Sequence, residues 1–151
     1  MAFFEIVCYD MKVSREVKNM QLQESGEMYL ETILILSKKA NLVRSIDVVD
    51  YMGFSKPAVS RAMAKLKKEK YILVDPNGYI ALTENGRTVA EKMYERHTLL
   101  TQFLVRIGVD EKTAAEDACK MEHVISDDTF EAMKRHSKAG NSGVRQPLQT
   151  N

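Results

Sequence analysis

The fold of this chain turns on residues 55–68, Ser55-Lys56-Pro57-Ala58-Val59-Ser60-Arg61-Ala62-Met63-Ala64-Lys65-Leu66-Lys67-Lys68. Val59, Met63 and Leu66 recur at helical spacing and form one apolar stripe, leaving Lys56, Ser60, Arg61, Lys65, Lys67 and Lys68 mostly outside it. Ser55 offers an N-cap, and Pro57 stands in the first turn, where its missing N–H costs nothing. The pattern predicts a basic amphipathic helix entered through a short turn.

On the N-terminal side, Glu27 to Lys38 predicts a first helix with Leu30, Ile33, Leu34 and Ser37 on one face and Glu31 near its edge. Ser45 is the expected cap of a short second helix over Ile46 to Met52, ended by Gly53. On the C-terminal side, Ile72-Leu73-Val74 and Tyr79 to Leu82 flank the turn Asp75-Pro76-Asn77-Gly78, which predicts a β-hairpin. Three helices and then a hairpin is the order of a winged helix-turn-helix, whose third helix enters the major groove while the hairpin lies against the DNA backbone.

Beyond the hairpin, Thr83 caps a long helix over Glu84 to Ile107, with Val89, Met93, His97, Leu100 and Leu104 in one stripe and Gly108 at its end. Asp110 starts another helix running to about His123, and Ser126 caps a last one through Phe130 and Met133 to about Lys138. The expected fold is therefore mainly α with a small β-hairpin. Residues 1–24 form an N-terminal extension, expected to be flexible, 25–83 the winged domain, 84–138 an all-helical domain, and 139–151 a polar tail expected to be disordered.

With 151 residues, 44% of them hydrophobic, the chain can bury a core of its own. The net charge of +1 conceals a polarity: residues 56–70 carry six Lys or Arg against one Glu, and residues 110–131 carry eight Asp or Glu against two Lys. A charged helix face is most often only a solvated one. Here, however, Ser55, Lys56, Pro57, Ser60 and Arg61 open the helix where base edges would lie, and Lys65 and its successors follow where phosphates would. RNA-binding modules would more often present exposed aromatics for stacking, and the Tyr and Phe here sit mostly on core stripes or beside turns. Double-stranded DNA is the expected partner. Cys8 and Cys119 form no paired motif, no apolar run is long enough to span a membrane, and no signal peptide opens the chain, so a reducing cytoplasm is the expected setting.

A second constellation lies near the C-terminus. Cys119, Glu122 and His123 stand at i, i+3 and i+4, which on a helix brings a thiolate, a carboxylate and an imidazole to one patch. Such mixed donors suit Fe(II), Mn(II), Co(II) or Zn(II) better than Ca or Mg. Taken singly, His97 would be a core histidine and Cys119 a small buried hydrophobe. Together with Met28 and Glu31 on the first helix, they offer donors from three helices. A structural or hydrolytic zinc site would show paired Cys/His motifs or HExxH, and neither is present. Nor is a phosphate-binding glycine loop or a GxSxG elbow, so an enzyme is not expected.

Glu27-Met28-Tyr29-Leu30, Ser55-Lys56-Pro57-Ala58-Val59-Ser60, Arg96-His97 and Cys119-Lys120-Met121-Glu122-His123-Val124-Ile125-Ser126 occur in an order and at separations that resemble the diphtheria toxin repressor family, which includes iron- and manganese-dependent bacterial repressors. The resemblance runs from about Gly26 to Lys138. It implies a homodimer with a winged-helix domain and a helical dimerisation domain, binding operator DNA when loaded with metal, in the short form without an SH3-like third domain. By resemblance Met28, Cys119, Glu122 and His123 match the primary site of the iron-responsive branch, whereas Glu31 and His97 match positions used in the manganese branch or an ancillary site. Thr101 and Ala115 stand where ancillary carboxylate and imidazole ligands would be, leaving that second site incomplete. Sulfur donors at positions 28 and 119 favour Fe(II), and the short architecture points back towards Mn(II).

The expected function is thus a repressor controlling metal homeostasis, with Fe(II), or alternatively Mn(II), bridging the DNA-reading and dimerisation domains. Ala114, Ala118, Met121, Val124, Phe130 and Met133 supply apolar surface for a dimer seam. The competing class is a winged-helix regulator that is metal-independent or senses oxidation through Cys119.

Overall fold

The computed structural model describes residues 22–139. Residues 1–21, with Cys8 and most of the expected extension, and residues 140–151 of the expected tail lie outside the described residues.

Helix α1, Leu22–Lys39, begins five residues earlier than its apolar period. Gly26, just ahead of that period, lies against the third helix, where a Cβ would stand 3.8 Å from a methyl of Leu66. Two faces of α1 are buried rather than one. Tyr29, Leu30, Ile33 and Leu34 enter the main core with Val43, Val48, Val59, Leu66, Ile72 and Ile80. Glu31, Thr32 and Ile35 are also buried and line a separate cavity. Each fully buried aliphatic side chain contributes about 1.5–3 kcal/mol, so this core is the main stabiliser of the N-terminal half.

Helix α2, Ser45–Met52, starts one residue before expectation: Arg44 takes the cap position, and the Asp47 carboxylate accepts the Arg44 N–H at 2.7 Å. Helix α3, Lys56–Lys68, follows the sequence reading, with Ser55 Oγ accepting Ala58 N–H at 3.3 Å and Val59, Met63 and Leu66 buried. The hairpin is part of a three-stranded antiparallel sheet of order β1-β3-β2, formed by β1 (Val43–Arg44), β2 (Ile72–Val74) and β3 (Tyr79–Leu82). Leu73 faces Ala81 across the hairpin, and Arg44 faces Tyr79 on the added edge. A strand of two residues has no readable period, which is why β1 escaped the sequence pattern. At the turn, Asp75 Oδ1 accepts the N–H groups of Asn77 and Tyr79, and Gly78 takes φ 84°, a left-handed conformation that glycine adopts without strain.

Helix α4, Glu84–Arg106, is fastened to the base of the hairpin. Thr83 Oγ1 donates to the carbonyls of Lys70 and Tyr71 and accepts Gly86 N–H, and a Cβ on Gly86 would stand 2.0 Å from the Tyr71 carbonyl oxygen. Only a glycine admits this approach. Helix α5, Glu111–Met121, is capped by Asp110, and α6, Asp127–Ala139, follows a turn in which Ser126 Oγ accepts Thr129 N–H. The expected run of α5 to His123 is thus cut short at Met121. Helix α1 packs along α4, and α4 packs against α5, so α1 joins the winged half to the helical half. Among the described residues, no helix is long and apolar enough to cross a membrane.

Candidate metal centre and DNA-facing helix

Helix α4 brings His97 inward beside the C-terminal end of α5, because His97 shares the buried face of Ala90, Met93 and Leu100. There His97 Nδ1 lies 2.9 Å from Glu122 Oε2 and 3.5 Å from Cys119 Sγ. One donor atom from each of these three buried residues falls within 4.8 Å of the others. Burying a carboxylate beside an imidazole and a thiol is costly unless the groups pair with one another or with an ion.

His123 lies on the same cavity as Cys119 and Glu122, as the spacing predicts, and it also reaches α1. Its Nδ1 is 3.0 Å from Glu27 Oε2 and its Nε2 is 3.2 Å from Glu122 Oε1. Glu122 therefore stands between the two histidines. Met28, Glu31, Cys119, Glu122 and His123 line a single cavity of about 220 Å³, and His97 adjoins it through Glu122 and Cys119. All six residues singled out in the sequence thus converge on one region, with His97, Cys119 and Glu122 as its tightest cluster.

Without an ion, the electrostatics favour a carboxylate on Glu122 and a proton on His123. Burial pushes the Glu122 carboxyl up, but hydrogen bonds and charge from His123 and His97 outweigh it and hold the group below its ordinary value. Burial likewise pushes His123 down, and the carboxylates of Glu122 and Glu27 reverse this, raising it. Nitrogen, sulfur and oxygen donors in a water-poor site fit a borderline transition ion; the all-oxygen shell of Ca or Mg is not on offer.

Two contributors were missed in the sequence. Glu27 follows Glu24 and precedes Glu31 at helical spacing on α1, a carboxylate pattern that could have drawn notice. Arg96 gives no such signal, because its burial, at 4% exposure, is not readable from a charged residue type.

Ser55, Lys56, Pro57, Ser60 and Arg61 are all exposed at the start of α3, though Ser55 Oγ is engaged in capping. Lys65 is half-buried and pairs with Glu69 at 3.6 Å, an exposed i,i+4 contact of little energetic weight. Arg44, on β1, lays its guanidinium 4.3 Å from the Tyr79 ring centroid and is the single cation on the three strands. It too was overlooked, since β1 was.

Of the residues assigned to a dimer seam, Ala114, Ala118 and Phe130 are buried within the subunit, whereas Val124 is 69% exposed. Val105 and Ile107, at the C-terminal end of α4, are exposed apolar residues as well.

Comparison with known proteins accords with this architecture. Residues 21–79 match the family described as Iron dependent repressor, N-terminal DNA binding domain, and residues 83–139 match Iron dependent repressor, metal binding and dimerisation domain. An uncharacterized HTH-type transcriptional regulator of Methanocaldococcus jannaschii is 36% identical over 115 residues, covering 75% of this chain and 92% of the relative. The transcriptional regulator MntR of Escherichia coli is 30% identical over 120 residues, covering 80% and 77%. The solved structure of the manganese regulator SloR superposes with a TM-score of 0.68 at 29% identity over 75% of this chain, which spans 53% of that longer protein.

Proposed function

The chain belongs to the diphtheria toxin repressor family of metal-dependent transcriptional repressors, and on that premise we propose that it binds operator DNA as a homodimer when loaded with a divalent transition metal. Like its relatives it is a regulator and not an enzyme. The observation that carries the proposal is the buried His97–Cys119–Glu122 cluster facing a cavity whose other wall, with Met28 and Glu31, belongs to α1.

A bound ion would supply the positive charge that five or six inward donors share, and with it a tie between the winged half and the helical half. Met28 and Glu31 would hold it from α1, and His97, Cys119, Glu122 and His123 from α4 and the end of α5. Docking of α1 then restricts the separation of the two α3 helices in a dimer to near that of successive major grooves, about 34 Å. DNA affinity rises because the competent arrangement is no longer a minor population, and by linkage DNA tightens metal binding equally. Lys56, Ser60 and Arg61 meet base edges, while Lys65 meets phosphates.

The thiol of Cys119 and the thioether of Met28 favour Fe(II), whereas the relatives named as manganese regulators favour Mn(II). Anaerobic titration with each ion, read as operator affinity of the reduced protein against a chelated control, decides the matter. Operator binding that ignores both ions would refute the sensor and leave the metal-independent or thiol-sensing regulator.

A further inference from the structure

Arg96 spends its charge in an unusual place. It is 4% exposed, and its Nη1 donates to two main-chain carbonyls, those of Glu122 and Ile125, both at 2.9 Å. Its Nη2 donates to the Asp127 carboxylate, and its guanidinium lies 5.2 Å from the Phe130 ring centroid. Burying a guanidinium is expensive. Asp127, with a side chain 72% exposed and a second partner in Lys92 at 2.9 Å, is too well solvated to account for it. The two carbonyls are the better reason, for they belong to the turn that ends α5 and carries Glu122 and His123.

Helix ends leave carbonyls without intrahelical partners. Here the Glu122 carbonyl is held by Arg96, while the carboxylate of the same residue is held by the adjacent His97. We infer that Arg96 is a positioning residue of the metal centre: its guanidinium fixes the 122–125 backbone so that Glu122 and His123 present their donors to the cavity. The same bonds tie the first residue of α6 to that turn, so ligand geometry and the placement of α6 move together. This rests on the metal-sensor reading.

The rival account is that Arg96 only docks α6, through Asp127 and Phe130. Co(II) distinguishes them, because its thiolate charge-transfer and ligand-field bands report the donor set directly. Anaerobic Co(II) titration of the full chain should show Arg96→Met binding about 10–100-fold more weakly, the range typical of lost ligand-orienting partners, with altered ligand-field bands. Arg96→Lys, which keeps the charge but replaces the planar guanidinium, whose Nη1 reaches both carbonyls while Nη2 reaches Asp127, with a compact ammonium, should also lose affinity. Asp127→Asn should bind as the unaltered chain does. If Arg96→Met fails to fold, the Lys and Asn variants carry the comparison. Unchanged affinity and spectrum in a folded Arg96 variant, or a loss confined to Asp127→Asn, would overturn the inference alone. An unaltered chain that takes up no Co(II) would overturn the metal-sensor reading as well.

Discussion

Glu27 on α1 and His123 beyond α5 meet with Oε2 and Nδ1 3.0 Å apart, joining residues 96 positions distant in sequence across the two halves of the fold. A carboxylate on one ring nitrogen selects which nitrogen faces a ligand and stiffens the ring. With Nδ1 committed to Glu27, Nε2 is the atom directed to the Glu122 side of the cavity.

Removing that anchor has a defined expected result. Glu27→Ala should weaken Mn(II) or Fe(II) binding roughly tenfold or more, and Glu27→Gln, which keeps an acceptor, should recover part of the loss. Calorimetric titration of the metal-depleted protein measures both. Equal affinity in all three proteins would show that the contact does not orient His123.

The same pair sets a pH dependence. The folded-state pKa of His123 is raised, so its contribution to stability is fully present below its ordinary value, about 6.5, and is lost as pH rises through the raised one. Glu122, held below its ordinary value, contributes above about 4.3 and loses that contribution as pH falls through the lowered one. A coordinating imidazole must be unprotonated, so metal uptake should release a proton and apparent affinity should climb as pH rises from the ordinary histidine value through the raised one. Proton release can be followed with an indicator dye. Affinity flat across that interval would remove His123 from the ligand set.

On the DNA side, Arg61→Ala should weaken operator binding and change discrimination between operator variants, with no change in metal affinity of the free protein. Arg44→Ala, by contrast, should weaken binding evenly across sequences and lower the salt slope by about one. Fluorescence anisotropy at several salt concentrations separates the two behaviours. An Arg44 variant with an unaltered slope would place that side chain away from phosphates.

Gly86→Ala tests the seam between hairpin and α4. Alanine is the better helix former by about 1 kcal/mol, yet its Cβ would meet a backbone oxygen at 2.0 Å. Overpacking should win, at a net cost of about 1–3 kcal/mol in urea unfolding. A stabilised variant would contradict the close approach.

What the sequence determined by itself was everything governed by near neighbours. The stripe of Val59, Met63 and Leu66, the caps Ser55, Thr83, Asp110 and Ser126, and the Asp75-Pro76-Asn77-Gly78 turn are short-range physics, and α3, the hairpin and α4 form where those patterns lie. The donor types at positions 28, 31, 97, 119, 122 and 123 were equally legible, because residue chemistry needs no coordinates. Tertiary structure decided the rest. The 122–125 segment gives two of its carbonyls to Arg96 from a distant helix, and His123 meets Glu27 on α1, contacts that no local pattern records. Burial of Glu31 and Arg96, the strand at Val43–Arg44 and the Gly86 contact arise in the same way, from groups on separate elements that meet only when those elements pack. Periodicity records which face of a helix turns inward, but the partner waiting there is chosen only when the helices pack.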